Sequence, residues 1–155
     1  MYVQYFGAMT IQFIGFTEPT THYGIPLYQS KIPAGFPSPA QDYVEQTLDL
    51  NELCIKRPAA TYFVRVEGDS MIEAGIHPYD ILVVDRSVTP QHGDIVIAQV
   101  NGEFTVKELA LIPTVRLIPR NQAYPPITFN DDAELALFGV VTNIVRQMTR
   151  SKRAQ

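Results

Sequence analysis

The feature that most constrains the fold is a series of short, β-branched segments that begins at residue 61. Seven such runs follow one another: TYFVRV, DILVVD, DIVIAQV, EFTVKEL, TVRLIP, PITF and LALFGVVTNIV. Gly, Pro and Asn residues, which favour turns, separate them. Several short strands at this spacing predict a mostly β fold, with antiparallel strands in a sandwich or a half-open barrel.

One of the turns is strongly specified. Asn101-Gly102 joins the runs DIVIAQV and EFTVKEL through two residues that both tolerate positive φ. This dipeptide is typical of a type I′ turn, so the two runs should form a β-hairpin.

The chain before residue 61 reads differently. Residues 1–37 show no clear period and many turn-forming residues, which predicts an extended arm that needs the main domain or a partner for support. In SPAQDYVEQ, Ser38 and Gln41 form a capping box that predicts the start of a helix. Asp49 is expected to begin a second short helical turn in DLNELCI, and Pro58 to end it.

Charge is unevenly distributed over the 155 residues. The formal net charge is −4, but the residues after position 145 carry four basic groups and no acid, which leaves −8 for the rest. An acidic body argues against direct, sequence-specific DNA binding, because a duplex-binding surface needs clustered Lys and Arg to displace counterions. The basic tail is expected to be a solvated end of the chain.

Cysteine content and hydrophobicity bear on the compartment. Cys54 is the only cysteine, so an intrachain disulfide is excluded, which fits a reducing compartment. Its apolar neighbours predict a small core residue rather than a nucleophile. The apolar N-terminus has no Lys or Arg before Lys31, so the basic region of a signal peptide is missing. No run approaches the roughly 18–20 apolar residues of a membrane span, and we expect a cytoplasmic protein without a membrane partner.

The sequence gives little support for a metal-binding or cofactor-binding site. His22, His77 and His92 lie far apart, and none pairs with Cys or another His at ligand spacing, so no metal site is expected. A phosphate-binding Gly-rich loop is also missing, and no cofactor is predicted. A Ser-His-Asp triad stays open at this point, because its members are neighbours in space rather than in sequence.

Lys107 allows two interpretations. Strand alternation in EFTVKEL places it on one face together with Glu103 and Thr105, and places Phe104 and Val106 on the other. If the first face is open to solvent, Lys107 is an ordinary surface lysine. If that face is covered, burial disfavours the ammonium and lowers the lysine pKa, and a neutral lysine can accept a proton from a serine hydroxyl.

Ser70 is the serine that would need such a base. It lies in the turn Gly-Asp-Ser-Met that follows TYFVRV. Serine is common in turns, so this residue alone does not establish a nucleophile. The combination with Lys107, on the second strand of the Asn-Gly hairpin, strengthens the hypothesis of a Ser-Lys pair.

These motifs resemble a known family. The run GDSM, followed at this distance by EFTVK and preceded by GFPSPA, is similar to the corresponding motifs of the UmuD/MucA-type SOS mutagenesis proteins. The resemblance extends over about residues 35–145. It is shared more distantly with the LexA-like repressors, which carry the same self-cleaving serine peptidase domain.

The resemblance implies a serine peptidase-like domain that cuts its own chain. Ser70 matches the family nucleophile and Lys107 the general base. The scissile bond would be Ala34–Gly35, and the backbone N–H groups of Ser70 and Met71 would form the oxyanion hole, with the Met71 side chain serving as packing.

The resemblance also implies partners and an order of segments. Cleavage would be stimulated by the RecA filament on single-stranded DNA, and the product would be a homodimeric accessory subunit of an error-prone, UmuC-like Y-family DNA polymerase. The predicted segments are an arm removed by cleavage, a linker with short helical turns, the peptidase-like domain and a basic tail: residues 1–34, 35–60, 61–146 and 147–155.

Two other functions are alternatives to a self-cleaving accessory subunit. A LexA-like repressor would need a DNA-binding domain before the cleavage site, and the 34 residues that precede Gly35 show no helix-turn-helix pattern. A module that binds a polymerase but no longer cleaves itself would not need Ser70, Lys107 and a small-residue bond at Ala34–Gly35 together.

Overall fold

A computed structural model describes residues 11–16, 23–28, 44–130 and 133–148. One α-helix, α1 (Leu50–Cys54), and two short 3₁₀ turns, Pro58–Ala60 and Ile72–Ala74, occur in these segments. The strands are β1 (Ile11–Phe16), β2 (Ile25–Tyr28), β3 (Val44–Leu48), β4 (Thr61–Val66), β5 (Ile81–Asp85), β6 (Ile95–Val100), β7 (Glu103–Ala110), β8 (Arg116–Ile118), β9 (Ile127–Thr128) and β10 (Leu135–Val145). The prediction of a mostly β fold with antiparallel strands is confirmed.

Eight strands form one antiparallel sheet in the order β1-β4-β5-β10-β6-β7-β8-β9. The long strand β10 lies at its middle and pairs with β5 through one half and with β6 through the other. The sheet curls, so that β1 also approaches β7 although four strands lie between them in the sheet order. This curvature brings the end of β4 close to β7.

Strand alternation produces a core in two clusters. One cluster is built mainly from β4, β5 and the turn after β4, and the other from β6, the end of β7, β8 and β9. Their buried members are Tyr62, Val64, Val66, Met71, Ile76, Leu82, Val84, Ile97 and Val106 in the first, and Val96, Ala98, Val100, Leu109, Leu117, Ile127 and Val140 in the second.

The hairpin predicted at Asn101-Gly102 is confirmed. β6 and β7 pair with Val100 opposite Glu103, which leaves two residues in the turn. Asn101 has φ 48° and Gly102 has φ 87°, the positive values that a type I′ turn requires.

The first predicted helix is wrong where the structure describes it. Val44–Leu48 is a strand, β3, which pairs with β2 in a separate two-stranded sheet. The partner strand satisfies the backbone hydrogen bonds that a helix would have made internally, and a partner near residue 25 is not visible in the local pattern. The capping-box residues of this prediction, Ser38 and Gln41, lie outside the described residues.

The second helical prediction is confirmed at its start and wrong at its end. The Asp49 carboxylate accepts a hydrogen bond from the Asn51 N–H at 2.8 Å, as an N-cap residue does. The helix stops at Cys54, and Pro58 begins the following 3₁₀ turn instead of ending the helix. Cys54 is half-buried at this helix end, so the prediction of a core position is also wrong.

Two segments of the predicted arm form strands. β1 pairs with the outer edge of β4, from Ile11 opposite Val66 to Phe16 opposite Tyr62, and β2 pairs with β3. β1 therefore receives its backbone partner from the main domain, and β2 receives its partner from the segment 35–60 that was predicted as a linker. Within the described part of the chain, no helix is long and apolar enough to cross a membrane.

Candidate active site

Ser70 lies in a tight turn between β4 and the 3₁₀ turn Ile72–Ala74. We call residues 69–75 the serine turn. The Ile72 N–H donates to the Asp69 carbonyl at 3.2 Å, and the Gly75 N–H, in a residue with φ 82°, donates to the Ile72 carbonyl at 3.0 Å. Ser70 is only 1% exposed, so its hydroxyl lies under the surface of the protein.

The far side of the serine turn is held by the end of β10. Arg146 donates two hydrogen bonds of 2.6 Å to the buried Asp80 carboxylate and one of 2.7 Å to the Gly75 carbonyl. Burial alone would raise the pKa of Asp80, but the hydrogen bonds from Arg146 and from the His77 N–H outweigh it, and the pKa lies below its usual value. Arg146, one of the four basic residues after position 145, is thus held in a defined position by Asp80 and Gly75.

Lys107 lies in the middle of β7 and is 4% exposed. Its alternation partner Thr105 is 1% exposed, and Val106 on the opposite face is fully buried. The strand is thus covered on both faces here, which decides between the two interpretations of Lys107 in favour of the desolvated one.

The curled sheet brings Lys107 and Ser70 together. Lys107 Nζ lies 3.1 Å from Ser70 Oγ, 2.6 Å from Thr105 Oγ1 and 3.0 Å from the Val106 carbonyl oxygen. The Lys107 amine can form a hydrogen bond with each of these three neighbours, whether it is charged or neutral. An ammonium donates to all three, whereas a neutral amine donates to Thr105 and Val106 and turns its lone pair to the Ser70 hydroxyl.

Burial makes the neutral amine accessible near physiological pH. Desolvation lowers the pKa of Lys107 from 10.5 to about 8. Among the described residues, no carboxylate forms an ion pair with its ammonium group that would oppose this shift. A lysine with this pKa and a serine hydroxyl in hydrogen-bond contact can act as a general base and a nucleophile.

The other predicted site residues are placed as follows. The amides of Ser70 and Met71 border the serine hydroxyl, and among the described residues neither amide donates to a backbone carbonyl. The Met71 side chain is fully buried, and its sulfur accepts the Arg120 N–H at 3.3 Å. Ala34 and Gly35 lie outside the described residues, so the structure does not place the predicted scissile bond.

Neither described histidine takes part in this site. The His92 ring accepts the Leu111 N–H at 3.0 Å on the exposed surface, and His77 lies in the turn that precedes β5. Both are turn residues, as their positions before Gly93 and Pro78 predict. The basic side chain in contact with Ser70 is Lys107, and a triad with either of these histidines is not supported.

Sequence reasoning missed several residues around the pair. Thr105 could have been found, since it lies two residues before Lys107 and on the same strand face. The loop after β8 could not have been found in this way. Asn121 and Tyr124 contact Asp69, which lies more than fifty residues earlier in the chain, and no local sequence pattern predicts these contacts.

Comparison with known proteins agrees with this geometry. The Peptidase S24-like family matches residues 26–142. The chain is 56% identical to protein SamA of Salmonella typhimurium over 126 residues, which cover 81% of this chain and 87% of SamA. It is 50% identical to protein MucA of Escherichia coli over 122 residues, which cover 78% and 84% of the two chains.

A repressor is also related, at lower coverage. LexA repressor 1 of Xanthomonas campestris is 40% identical over 119 residues, which cover 76% of this chain and 58% of the repressor. The resemblance to MucA-type proteins that the motifs indicated is confirmed. From its match to the family over most of its length and from these relatives, the chain belongs to the Peptidase S24-like family.

Proposed function

We propose that this protein cleaves its own chain at Ala34–Gly35, with Ser70 as nucleophile and Lys107 as general base. The observation that carries the proposal is the buried contact of 3.1 Å between Lys107 Nζ and Ser70 Oγ. Membership in a peptidase family and the lowered pKa of Lys107 give it further support.

The reaction would run in two halves. Neutral Lys107 takes the proton of the Ser70 hydroxyl while Oγ attacks the carbonyl carbon of Ala34. The C–N bond then breaks, the Lys107 ammonium returns a proton to the leaving amine of Gly35, and Ala34 remains as an ester on Ser70. A water molecule, deprotonated by Lys107, hydrolyses that ester and restores the serine.

The oxyanion of each tetrahedral intermediate needs hydrogen-bond donors. The backbone N–H groups of Ser70 and Met71 are the proposed donors, because they lie beside the nucleophile and donate to no backbone carbonyl within the described residues. Small residues at Ala34 and Gly35 would let the scissile backbone approach this turn closely.

The biological role follows from the resemblance to the UmuD/MucA type. We propose that cleavage is stimulated by the RecA filament on single-stranded DNA, which would favour the conformation with the arm in the site. The product, residues 35–155, would act in SOS mutagenesis as a homodimeric accessory subunit of a UmuC-like Y-family polymerase. A dimer mass at micromolar concentration is expected, and a monomer mass would contradict that assembly.

Intact-mass measurement tests the reaction itself. The purified chain should break between Ala34 and Gly35 slowly at alkaline pH and faster with activated RecA filaments. Ser70→Ala and Lys107→Ala should each abolish the break and keep the circular dichroism spectrum of the parent. An unbroken parent chain under both conditions would refute self-cleavage, and normal cleavage by Lys107→Ala would refute the assigned base.

A further inference from the structure

The nucleophile and the base are not joined by the hydrogen bonds of the sheet. Ser70 follows β4 and Lys107 lies on β7, and the strands β5, β10 and β6 stand between them in the sheet order. With about 4.8 Å between neighbouring strands, a flat sheet would hold β4 and β7 roughly 19 Å apart. The curl of the sheet closes this gap, and a further contact between the two elements can hold the distance of 3.1 Å between the side chains.

The loop that follows β8 makes that contact. We call residues 120–124 the clasp. On the side of the serine turn, the Asn121 amide donates to the Asp69 carbonyl at 3.0 Å, and the Tyr124 hydroxyl donates to the Asp69 carboxylate at 2.6 Å. The Glu73 N–H donates to the Arg120 carbonyl at 2.8 Å.

The clasp forms hydrogen bonds with the residues on both sides of the nucleophile in the serine turn. Asp69 directly precedes Ser70, and Met71 directly follows it with its sulfur against the Arg120 N–H. Bonds to Asp69 and Met71 together limit both the translation and the rotation of the residue between them.

On the side of the base, the clasp is tied to the lysine strand. β8 pairs with β7, with Ile118 opposite Glu108, the residue that follows Lys107. The Arg120 guanidinium forms a bidentate ion pair with the Glu108 carboxylate, whose Nε contact measures 2.6 Å. The clasp thus begins on the ladder that carries the base and ends on the turn that carries the nucleophile.

We propose that Asn121 and Tyr124 are positioning residues for the Ser70–Lys107 pair, acting through Asp69. This inference rests on the proposed function for its consequence in cleavage, but its geometric part is independent of cleavage. A displacement of about 1 Å at a nucleophile costs on the order of 100-fold in rate, so loss of either contact should slow self-cleavage by about 10- to 100-fold.

Two substitutions isolate the contacts. Asn121→Asp keeps the oxygen that accepts the Ala123 N–H at 2.9 Å and removes the donor to Asp69. Tyr124→Phe removes one oxygen. Asn130→Asp and Tyr79→Phe make the same chemical changes at exposed side chains away from the clasp and serve as matched controls.

A thiol at the nucleophile position reports the pairing without any cleavage. In Ser70→Cys, a Lys107 ammonium in contact should lower the thiol pKa below its ordinary value of about 8.5. Its alkylation by iodoacetamide is followed against pH by peptide mass spectrometry, and Cys54 in the same chain serves as the internal reference. The titratable groups on the surrounding elements are Lys107 and Glu108 on β7, Asp69 and Glu73 on the serine turn, and Arg120 and Tyr124 on the clasp.

In the Ser70→Cys background, Asn121→Asp and Tyr124→Phe should each raise the residue 70 thiol pKa by about one pH unit or more, while the two controls leave it unchanged. Unchanged Cys54 alkylation and cooperative thermal melting show that the fold is retained. Asn121→Asp also adds a negative charge beside Asp69, which raises a nearby thiol pKa by itself, so the uncharged variant Tyr124→Phe decides the test. A thiol pKa at residue 70 that Tyr124→Phe leaves unchanged would overturn the proposal. If the thiol pKa shifts but the parent chain never cleaves itself, the clasp stands and the proposed function fails.

Discussion

At the scale of single residues, the unusual member of the site is a lysine that the fold holds in an unfavourable environment. Lys107 is buried under a covered strand face, and its pKa lies at about 8 rather than 10.5. The same burial that makes the amine a useful base destabilises the protein whenever the amine is protonated. The proposed cleavage rate and the free energy of unfolding should therefore both depend on pH through the protonation of Lys107.

The rate of self-cleavage should follow the neutral fraction of Lys107. Below the pKa of about 8 the rate constant should rise about tenfold per pH unit, and above roughly pH 9 it should level off. Quenched time courses analysed by intact mass from pH 6 to pH 10 measure this profile. A rate constant that is flat between pH 6 and pH 8 would show that another group limits the reaction.

Replacement of Lys107 by Met should stabilise the protein at neutral pH. The folded pKa lies below the unfolded one, so the ammonium destabilises the fold fully below pH 8, and this penalty disappears between pH 8 and pH 10.5 as the pH rises. A shift of this size is worth at most about 3 kcal/mol, from which the lost contact with Thr105 subtracts about 1 kcal/mol.

Urea unfolding of Ser70→Ala with and without Lys107→Met measures this difference in a chain that does not cleave. The gain in free energy of unfolding should be larger at pH 7 than at pH 10. An equal gain at both pH values would mean that the lysine is not desolvated in the folded state.

At the scale of elements, the long strand β10 depends on a glycine at its bend. The pairing of β10 with β6 shifts register between Leu137 and Gly139. Gly139 has φ 147°, and a Cβ there would lie 2.6 Å from a methyl group of Val84 and 3.1 Å from the Asp85 carbonyl oxygen. Backbone conformation and space both exclude a larger residue at this position.

Gly139→Ala should therefore destabilise the protein by about 2–4 kcal/mol, because the new methyl group meets both a core side chain and a strand backbone. Ala136→Ser, at an exposed position of the same strand, is the matched control and should change the free energy of unfolding by less than about 0.5 kcal/mol. Thermal or urea unfolding separates the two. Equal stabilities would show that the bend can relax around a methyl group.

The strands after residue 61 could be predicted because each carries its own signal, as the two positive-φ residues of Asn101-Gly102 do. The strands before it could not. β1 finds its partner at Thr61–Val66, some fifty residues further on, and Val44–Leu48 carries polar residues and lies next to a helix-capping pattern. Non-local pairing overrode local propensity there.

The same contrast holds within the site. The positions of Ser70 and Lys107 in the sequence suggested the pair and the resemblance to a family strengthened it, while the residues alone left a surface lysine open. The covered face of β7 depends on packing across the whole sheet, which no single strand encodes. The clasp includes a backbone hydrogen bond between Arg120 and Glu73. Such a bond does not depend on side-chain type, so the sequence pattern cannot predict it.

At the scale of the whole molecule, two strands of the arm pair with strands that follow the predicted scissile bond in the chain. β1 pairs with β4, the strand that leads to Ser70, and β2 pairs with β3. The predicted scissile bond lies between β2 and β3 in the chain. A cut there leaves both strand pairs in place.

Cleavage and separation of the fragments should therefore be two events. Native mass spectrometry of the cut protein should find residues 1–34 still bound to residues 35–155, and denaturing conditions should part them. Hydrogen exchange in Thr61–Val66 should stay slow until the fragment is gone, because β1 covers that edge. Separate elution of the fragment under native conditions, immediately after the cut, would contradict this expectation.

The position of β10 in the sheet has a consequence for the order in which the chain is made. Among the described strands β10 comes last in the chain, yet it stands between β5 and β6 and so joins the half that bears Ser70 to the half that bears Lys107. A ribosome must therefore synthesise residues up to Val145 before the two halves can close into one sheet. Under the proposed function, a nascent chain that already contains Ser70, Lys107 and the bond at Ala34–Gly35 would not process itself before that point.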